Sequence, residues 1–167
     1  GQDDEVAMTD IDILDLKTFI TNAVYGVFDT MLSMDIEPAD REFPVDGGGG
    51  RIVGSVGLAG KVMGNVSVHV NEGFARQITA AMLGMELDEI EGDDEIFDVI
   101  GELSNMVGGD IKSRLCDKNL HCELSIPSIT SGSDFRTETK GWERHERFVF
   151  QNGVNVGLVE VFVKADS

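Results

Sequence analysis

Basic residues are scarce in this chain of 167 residues. Lys and Arg together number 13 against 31 Asp and Glu, which gives a formal net charge of −18. Such a surface repels both the phosphate backbone of nucleic acid and the anionic headgroups of a membrane. No apolar run approaches the roughly 18 to 20 residues that a membrane span needs. We therefore expect a soluble protein that binds neither nucleic acid nor a membrane.

Cysteine is equally rare. Cys116 and Cys122 have a spacing that fits no standard zinc pattern, and His121 adds only a single further ligand. The sequence thus predicts neither a metal site nor a cofactor bound by this chain. Two unpaired cysteines suit a reducing compartment. Because the start also lacks a basic segment followed by an apolar stretch, which marks a secretory signal, we expect a cytoplasmic protein.

The length suits one ordinary domain that buries its core without help from disulfides or metals. We expect residues 1–10 to be a disordered or tag-derived N-terminus and residues 11–167 to form the single domain.

Hydrophobic periodicity predicts two long amphipathic helices. Apolar residues recur every three or four positions in Asp12–Met34 and again in Asp93–Cys116. A shorter helix, Glu72–Gly84, lies between them and ends on a glycine, the usual helix stop. Alternating or β-branched runs predict strands at Arg51–Leu58, Gly64–Val70, His121–Ile126, Thr137–Lys140, Arg144–Phe150 and Gly157–Lys164.

The two long helices share one spacing of side chains: Asp15, Phe19 and Asn22 in the first, and Asp98, Glu102 and Asn105 in the second. Each helix is followed by a connection that contains proline and then by a hairpin. The closing strands Gly64–Val70 and Gly157–Val163 also align at a constant offset. These features predict an α+β fold with a pseudo-two-fold internal repeat, in which two long helices pack on a largely antiparallel sheet of about six strands.

One face of the second long helix could carry chemistry. Asp98, Glu102 and Asn105 stand at i, i+4 and i+7, opposite the apolar stripe, so one partner can engage them together. Gly108 and Gly109 follow, and bare backbone there would let another protein approach closely. Spacing alone is weak evidence, because polar residues on a helix are commonly no more than a solvated surface.

The segment Asp98-Val-Ile-Gly-Glu102-Leu-Ser-Asn105, followed by Met-Val-Gly-Gly, resembles the D-x3-E-x2-N signature of the CheC, CheX and FliY phosphatases of bacterial chemotaxis. The resemblance extends upstream through Ala80-Ala-Met-Leu-Gly84 and downstream to Ser125-Ile-Pro127. Its overall course covers about Leu14 to Lys164. A single complete signature resembles CheX more than the CheC members, which typically carry two.

This resemblance implies a phosphatase that hydrolyses the aspartyl phosphate of a CheY-like receiver domain, with Mg²⁺ and a catalytic lysine supplied by that partner. Glu102 would pair with the partner's lysine, Asn105 would orient the attacking water, and Asp98 would support them. Gly108, Gly109 and Lys112 would contact the partner. CheX relatives are homodimers, and the resemblance implies the same state here.

Two rival functions remain open at this stage. The first is a chemotaxis or flagellar adaptor that holds a response regulator without turning it over, although the intact Glu102 and Asn105 argue against it. The second is a small-molecule-binding domain, for which no polar cluster is evident in the sequence. His69, His121 and His145 are scattered along the chain, and Trp142 is interpreted as a packing residue or a dimer contact.

The first long helix lacks the acidic member of the signature. Phe19 stands where the second helix has Glu102, and we interpret it as a core residue or a dimer contact. The sequence therefore predicts one working site per chain.

Overall fold

The structure is a computed structural model that describes residues 10–44, 49–133 and 140–166. Within these ranges the chain forms three α-helices that cover one face of a seven-stranded sheet. The helices are α1 (Leu16–Leu32), α2 (Glu72–Leu83) and α3 (Asp93–Asp117). The strands are β1 (Glu37–Pro38), β2 (Arg51–Gly60), β3 (Val62–Asn71), β4 (Cys122–Leu124), β5 (Ser128–Gly132), β6 (Arg144–Asn152) and β7 (Asn155–Ala165).

The helix ends follow from capping side chains. The Asp15 carboxylate accepts a hydrogen bond from the Thr18 amide at 3.3 Å, so α1 begins at Leu16 rather than at the predicted Asp12. Asn71 caps α2 in the same way, at 2.7 Å from the Phe74 amide. The predicted glycine stop is confirmed, because Gly84 has the left-handed φ of +66° that ends α2.

The sheet confirms the predicted repeat. Its strand order is β1-β6-β7-β3-β2-β4, with β5 also paired to β2, and every pairing is antiparallel. At the centre, Ser67 of β3 lies opposite Glu160 of β7, its counterpart at the constant sequence offset. Pairing runs symmetrically to both sides, as a two-fold axis between these residues requires. The edge strands β1 and β5 follow the same symmetry, because β1 of the first half pairs with β6 of the second, and β5 of the second half pairs with β2 of the first.

The strand prediction was incomplete at the edges. Neither β1 nor β5 was predicted, and the predicted strand at His121–Ile126 shortens to Cys122–Leu124. Strand β1 has two residues, one of them a proline, and β5 consists mainly of Ser, Thr and Gly. Such short polar edges carry no hydrophobic alternation. The predicted strand at Thr137–Lys140 lies outside the described residues except for Lys140, which is in a turn.

The main core lies between the sheet and the helices. Alternate valines of β3 and β7 point into it and pack against the buried side chains of all three helices. The opposite face of the sheet holds a smaller apolar cluster of Phe43, Val156 and Leu158. Among the described helices, none has both the length and the apolar character that crossing a membrane demands.

Candidate functional site

Helix α3 presents the candidate site on its outer face. The predicted stripe is confirmed, since its five members are all buried against the sheet and the other helices: Ile96, Ile100, Leu103, Val107 and Ile111. On the opposite side Asp98 and Glu102 are exposed and Asn105 is half-buried. Within the described residues, none of these three polar side chains has a hydrogen-bond or ion-pair partner. They are available to another molecule, and they are spaced by about one helical turn each.

Small residues on the inner side bring α3 unusually close to β2. A Cβ added at Gly54 of β2 would lie only 2.1 Å from the Ser104 Oγ atom of α3. A Cβ added at Gly108 would lie 2.4 Å from Cγ2 of Val56, also on β2. The Ser104 hydroxyl is buried but satisfied, because it donates to the Ile100 carbonyl at 2.8 Å. This close contact fixes the height of α3 above the sheet and therefore the position of its outer face.

The prediction that Gly108 offers bare backbone to a partner was wrong. Gly108 is buried against β2, where it serves helix-sheet packing. Gly109 is half-buried, and a Cβ there would lie 3.8 Å from Cδ1 of Leu124. Lys112 is partly exposed and its Nζ lies 3.4 Å from a carboxylate oxygen of Glu123 in β4. That ion pair links α3 to β4, about two turns beyond Asn105.

Two of the three histidines, His69 and His145, are far apart in the sequence and lie in strands, but the fold brings them close together. Both lie on the face of the sheet opposite the helices, around Glu160, a residue that is 4% exposed. His145 Nε2 lies 2.7 Å from this carboxylate, and Arg147 Nε lies 3.4 Å from it. Only the register between β6, β7 and β3 brings these side chains together.

His69 completes this polar cluster as a neutral imidazole. Burial, together with the nearby positive charges of Arg51 and Arg147, lowers the pKa of His69 to about 4. The contacts agree, because Arg51 Nη1 lies 3.3 Å from Nδ1, which must then accept, while Nε2 faces the Ser67 hydroxyl at 3.0 Å. The Glu160 carboxylate lies 3.9 Å from the same Nε2, which is too distant for a strong hydrogen bond. The cluster is internally paired and lies across the sheet from α3.

The pseudo-equivalent face of α1 is built differently. Phe19 is half-buried and packs against the main core, which confirms its interpretation as a packing residue. Asn22 remains exposed. Trp142 is also a packing residue, because its ring lies 5.8 Å from that of Phe162 and the Lys164 ammonium sits 5.1 Å from its centroid.

The two cysteines are free thiols. Cys122 is buried, and burial together with the neighbouring Cys116 raises its pKa to about 11, so it is protonated at neutral pH. In the part of the chain that the structure describes, no three His, Cys, Asp or Glu side chains are grouped to hold a metal ion.

The fold and the site together define a class: an α+β domain with two-fold symmetry that presents an acid and an amide from one exposed helix face. A family model described as chemotaxis phosphatase CheX matches residues 52–151, more than half of the chain. The chain belongs to this CheX family.

Individual relatives agree with this assignment. The CheY-P phosphatase CheX of Thermotoga maritima is 28% identical over 91 residues, or 54% of this chain and 57% of that protein. The chain thus matches little more than half the length of that curated relative. The crystal structure of the chemotaxis protein CheX of Vibrio vulnificus has a TM-score of 0.76 at 21% identity and covers 95% of this chain and 100% of that one. The CheX of a CheX-CheY-BeF3-Mg²⁺ complex from Borrelia burgdorferi has a TM-score of 0.69 at 18% identity, covering 90% and 98%.

Proposed function

We propose that this chain hydrolyses the aspartyl phosphate of a CheY-like receiver domain at the outer face of α3. The observation that carries the proposal is that three polar side chains, Asp98, Glu102 and Asn105, share one outer helix face and have no hydrogen-bond or ion-pair partner among the described residues. Family membership supports it, as does the activity named for the Thermotoga maritima relative. The complex of the Borrelia burgdorferi relative with CheY supports the class of partner.

Asn105 acts on the water. An aspartyl phosphate is an energetic acyl phosphate whose hydrolysis is limited largely by positioning, so one well-placed amide can accelerate it. The Asn105 amide hydrogen-bonds the water in line with the bond to be broken. The water oxygen forms a new bond to phosphorus, and the bond between phosphorus and the aspartyl oxygen breaks. The products are inorganic phosphate and the free carboxylate, so no nucleophile from this chain is consumed.

Glu102 fixes the docking register. Its carboxylate pairs with the lysine of the receiver domain, one turn from Asn105, so that docking and water positioning are coupled on one helix. Mg²⁺ is held by the partner. Asp98 lies about 10 Å along the helix from Asn105 and supports the edge of the contact.

The test measures phosphate release from CheY-like receiver domains of the same genome, phosphorylated with acetyl phosphate, with catalytic amounts of the chain. The wild type accelerates release, and Asn105→Ala lowers the rate at least roughly a hundred-fold. Glu102→Gln weakens binding roughly ten-fold or more, the value of a charge-assisted hydrogen bond.

Asp117→Asn is the matched control, because it removes the same charge from the exposed C-terminal end of the same helix. It should leave binding and turnover unchanged. A wild type that binds the receiver domain without accelerating phosphate release would be the adaptor instead. Full turnover by Asn105→Ala would exclude the proposed chemistry.

A further inference from the structure

A β-bulge lies next to the outer face of α3. Strand β4 pairs with β2 up to Leu58 and Leu124, and the Ser125 amide then donates to the Gly57 carbonyl at 2.9 Å. Pairing resumes in β5, where Ser128 lies opposite Ser55. Between these points β2 has one residue, Val56, whereas the opposing segment has two, Ile126 and Pro127. Two residues opposite one define a bulge, a feature that re-aims a side chain and is common beside functional sites.

The bulge is held rigidly. The Ser125 hydroxyl accepts from the Gly57 amide at 2.8 Å, replacing the carbonyl that a regular ladder would supply. Pro127 has no amide hydrogen and could not continue the ladder. Ile126 is therefore carried on a fixed piece of backbone, yet the residue is 87% exposed.

The bulge runs alongside the turns of α3 that carry Glu102 and Asn105. On one side of the bulge, Cδ1 of Leu124 lies 3.8 Å from the point where a Cβ atom would stand if Gly109 had one. On the other side, Cγ of Pro127 lies 3.7 Å from a Cβ position at Gly101. Residue 126 thus lies between the two glycines that bracket Glu102 and Asn105.

The segment around the bulge, residues 124–133, is also distinguished by its lack of charge. It contains no charged side chain, in a chain whose net charge is −18. The receiver domain of the proposed function brings an anionic aspartyl phosphate to Asn105. An uncharged strip beside that residue lets the anion approach without repulsion from further carboxylates.

We propose that Ile126 is an apolar docking contact for the receiver domain, buried when the partner seats on Glu102 and Asn105. This inference rests on the proposed function and names the surface that continues its site. When a partner covers a solvent-exposed isoleucine, the burial of its apolar surface contributes favourable free energy of binding. Because the bulge is rigid, this contribution is not offset by the entropic cost of ordering a loop.

The experiment compares the wild type with Ile126→Ser. The matched control is Val154→Ser. This residue is 82% exposed in the turn between β6 and β7, and β3 separates these two strands from β2, the strand that packs against α3. Binding to a receiver domain activated with beryllofluoride and turnover of the phosphorylated domain are both measured. Ile126→Ser should raise Kd and KM roughly ten-fold or more and leave kcat within about two-fold. Val154→Ser should change neither.

The outcomes separate the two proposals. If the wild type is active and Ile126→Ser has unchanged Kd and KM, the docking role is wrong while the phosphatase stands. If the wild type binds without turnover and Ile126→Ser weakens binding, the phosphatase fails and the docking surface stands. If the wild type neither binds nor turns over any receiver domain, both fall. Sedimentation velocity tests whether a second copy of this chain buries Ile126 instead. If the wild type and Val154→Ser are dimers and Ile126→Ser is a monomer, a second copy covers Ile126 and the proposal is overturned.

Discussion

At the scale of single residues, His69 links the polar cluster to stability. Its pKa in the folded chain is lowered to about 4, below the usual value of 6.5, because it is buried and faces Arg51 and Arg147. The unfolded chain therefore takes up the proton first as the pH falls. The stabilisation that comes from keeping His69 neutral in the folded chain is fully present above about pH 6.5. It is lost progressively between pH 6.5 and pH 4.

We predict that acidification from pH 7 to pH 5 lowers the free energy of unfolding by about 2 kcal/mol through His69 alone. Urea unfolding at both values measures the change. His69→Gln keeps a polar side chain but cannot titrate in this range. Between pH 7 and pH 5 the free energy of unfolding of this variant should therefore fall by about 2 kcal/mol less than that of the wild type. An equal loss in both proteins would show that His69 is not held neutral.

Some residue positions could be predicted from the sequence and others could not. The helical period alone puts Asp98, Glu102 and Asn105 on an outer face, and the structure agrees. The prediction for Gly108 was wrong because the missing side chain was interpreted as backbone open to a partner, whereas the residue faces the sheet. The exposure of Ile126 depends on a bulge, which only strand register reveals.

At the scale of elements, the contact between α3 and β2 sets the height of the site. The two adjacent glycines of α3 differ sharply in the space around them. A Cβ at Gly108 would overlap the stiff side chain of Val56 at 2.4 Å, whereas a Cβ at Gly109 would meet Leu124 at an ordinary 3.8 Å. The pair therefore tests the packing of this helix directly.

We predict different stabilities for Gly108→Ala and Gly109→Ala. Both replacements gain about 1 kcal/mol of helix propensity, but only the first adds an overlap costing about 1 to 3 kcal/mol. Gly108→Ala should therefore have a free energy of unfolding lower than that of Gly109→Ala by about 1 to 3 kcal/mol. Urea denaturation of the two variants measures this difference. Equal stabilities would mean that α3 lies further from β2 than the structure shows.

Long elements were easier to predict than short edges. Helices α1, α2 and α3 and the two central hairpins carry strong periodicity, and their bounds differ from the prediction by a few residues. Strands β1 and β5 draw their structure from pairing with the other half of the repeat, which no local pattern encodes.

At the scale of the whole molecule, the two halves form one symmetric sheet but two different helix faces. The repeat could be predicted because the closing strands align at a constant offset, and the pairing of β3 with β7 confirms it. The symmetry does not extend to chemistry, since Phe19 packs into the core where its counterpart Glu102 is exposed. A receiver domain docking on α1 would lose a charge-assisted contact worth about 1.5 to 3 kcal/mol. The molecule should therefore have one working site, on α3.

The most direct test compares Asn105→Ala with Asn22→Ala, the same substitution at the two pseudo-equivalent positions, in the phosphate-release assay. Both side chains lie on outer helix faces, so both variants should fold and melt like the wild type. We predict that Asn105→Ala loses stimulated dephosphorylation at least roughly a hundred-fold, while Asn22→Ala keeps the wild-type rate. Retained turnover in Asn105→Ala, or an equal loss in a well-folded Asn22→Ala, would contradict a single catalytic face on α3.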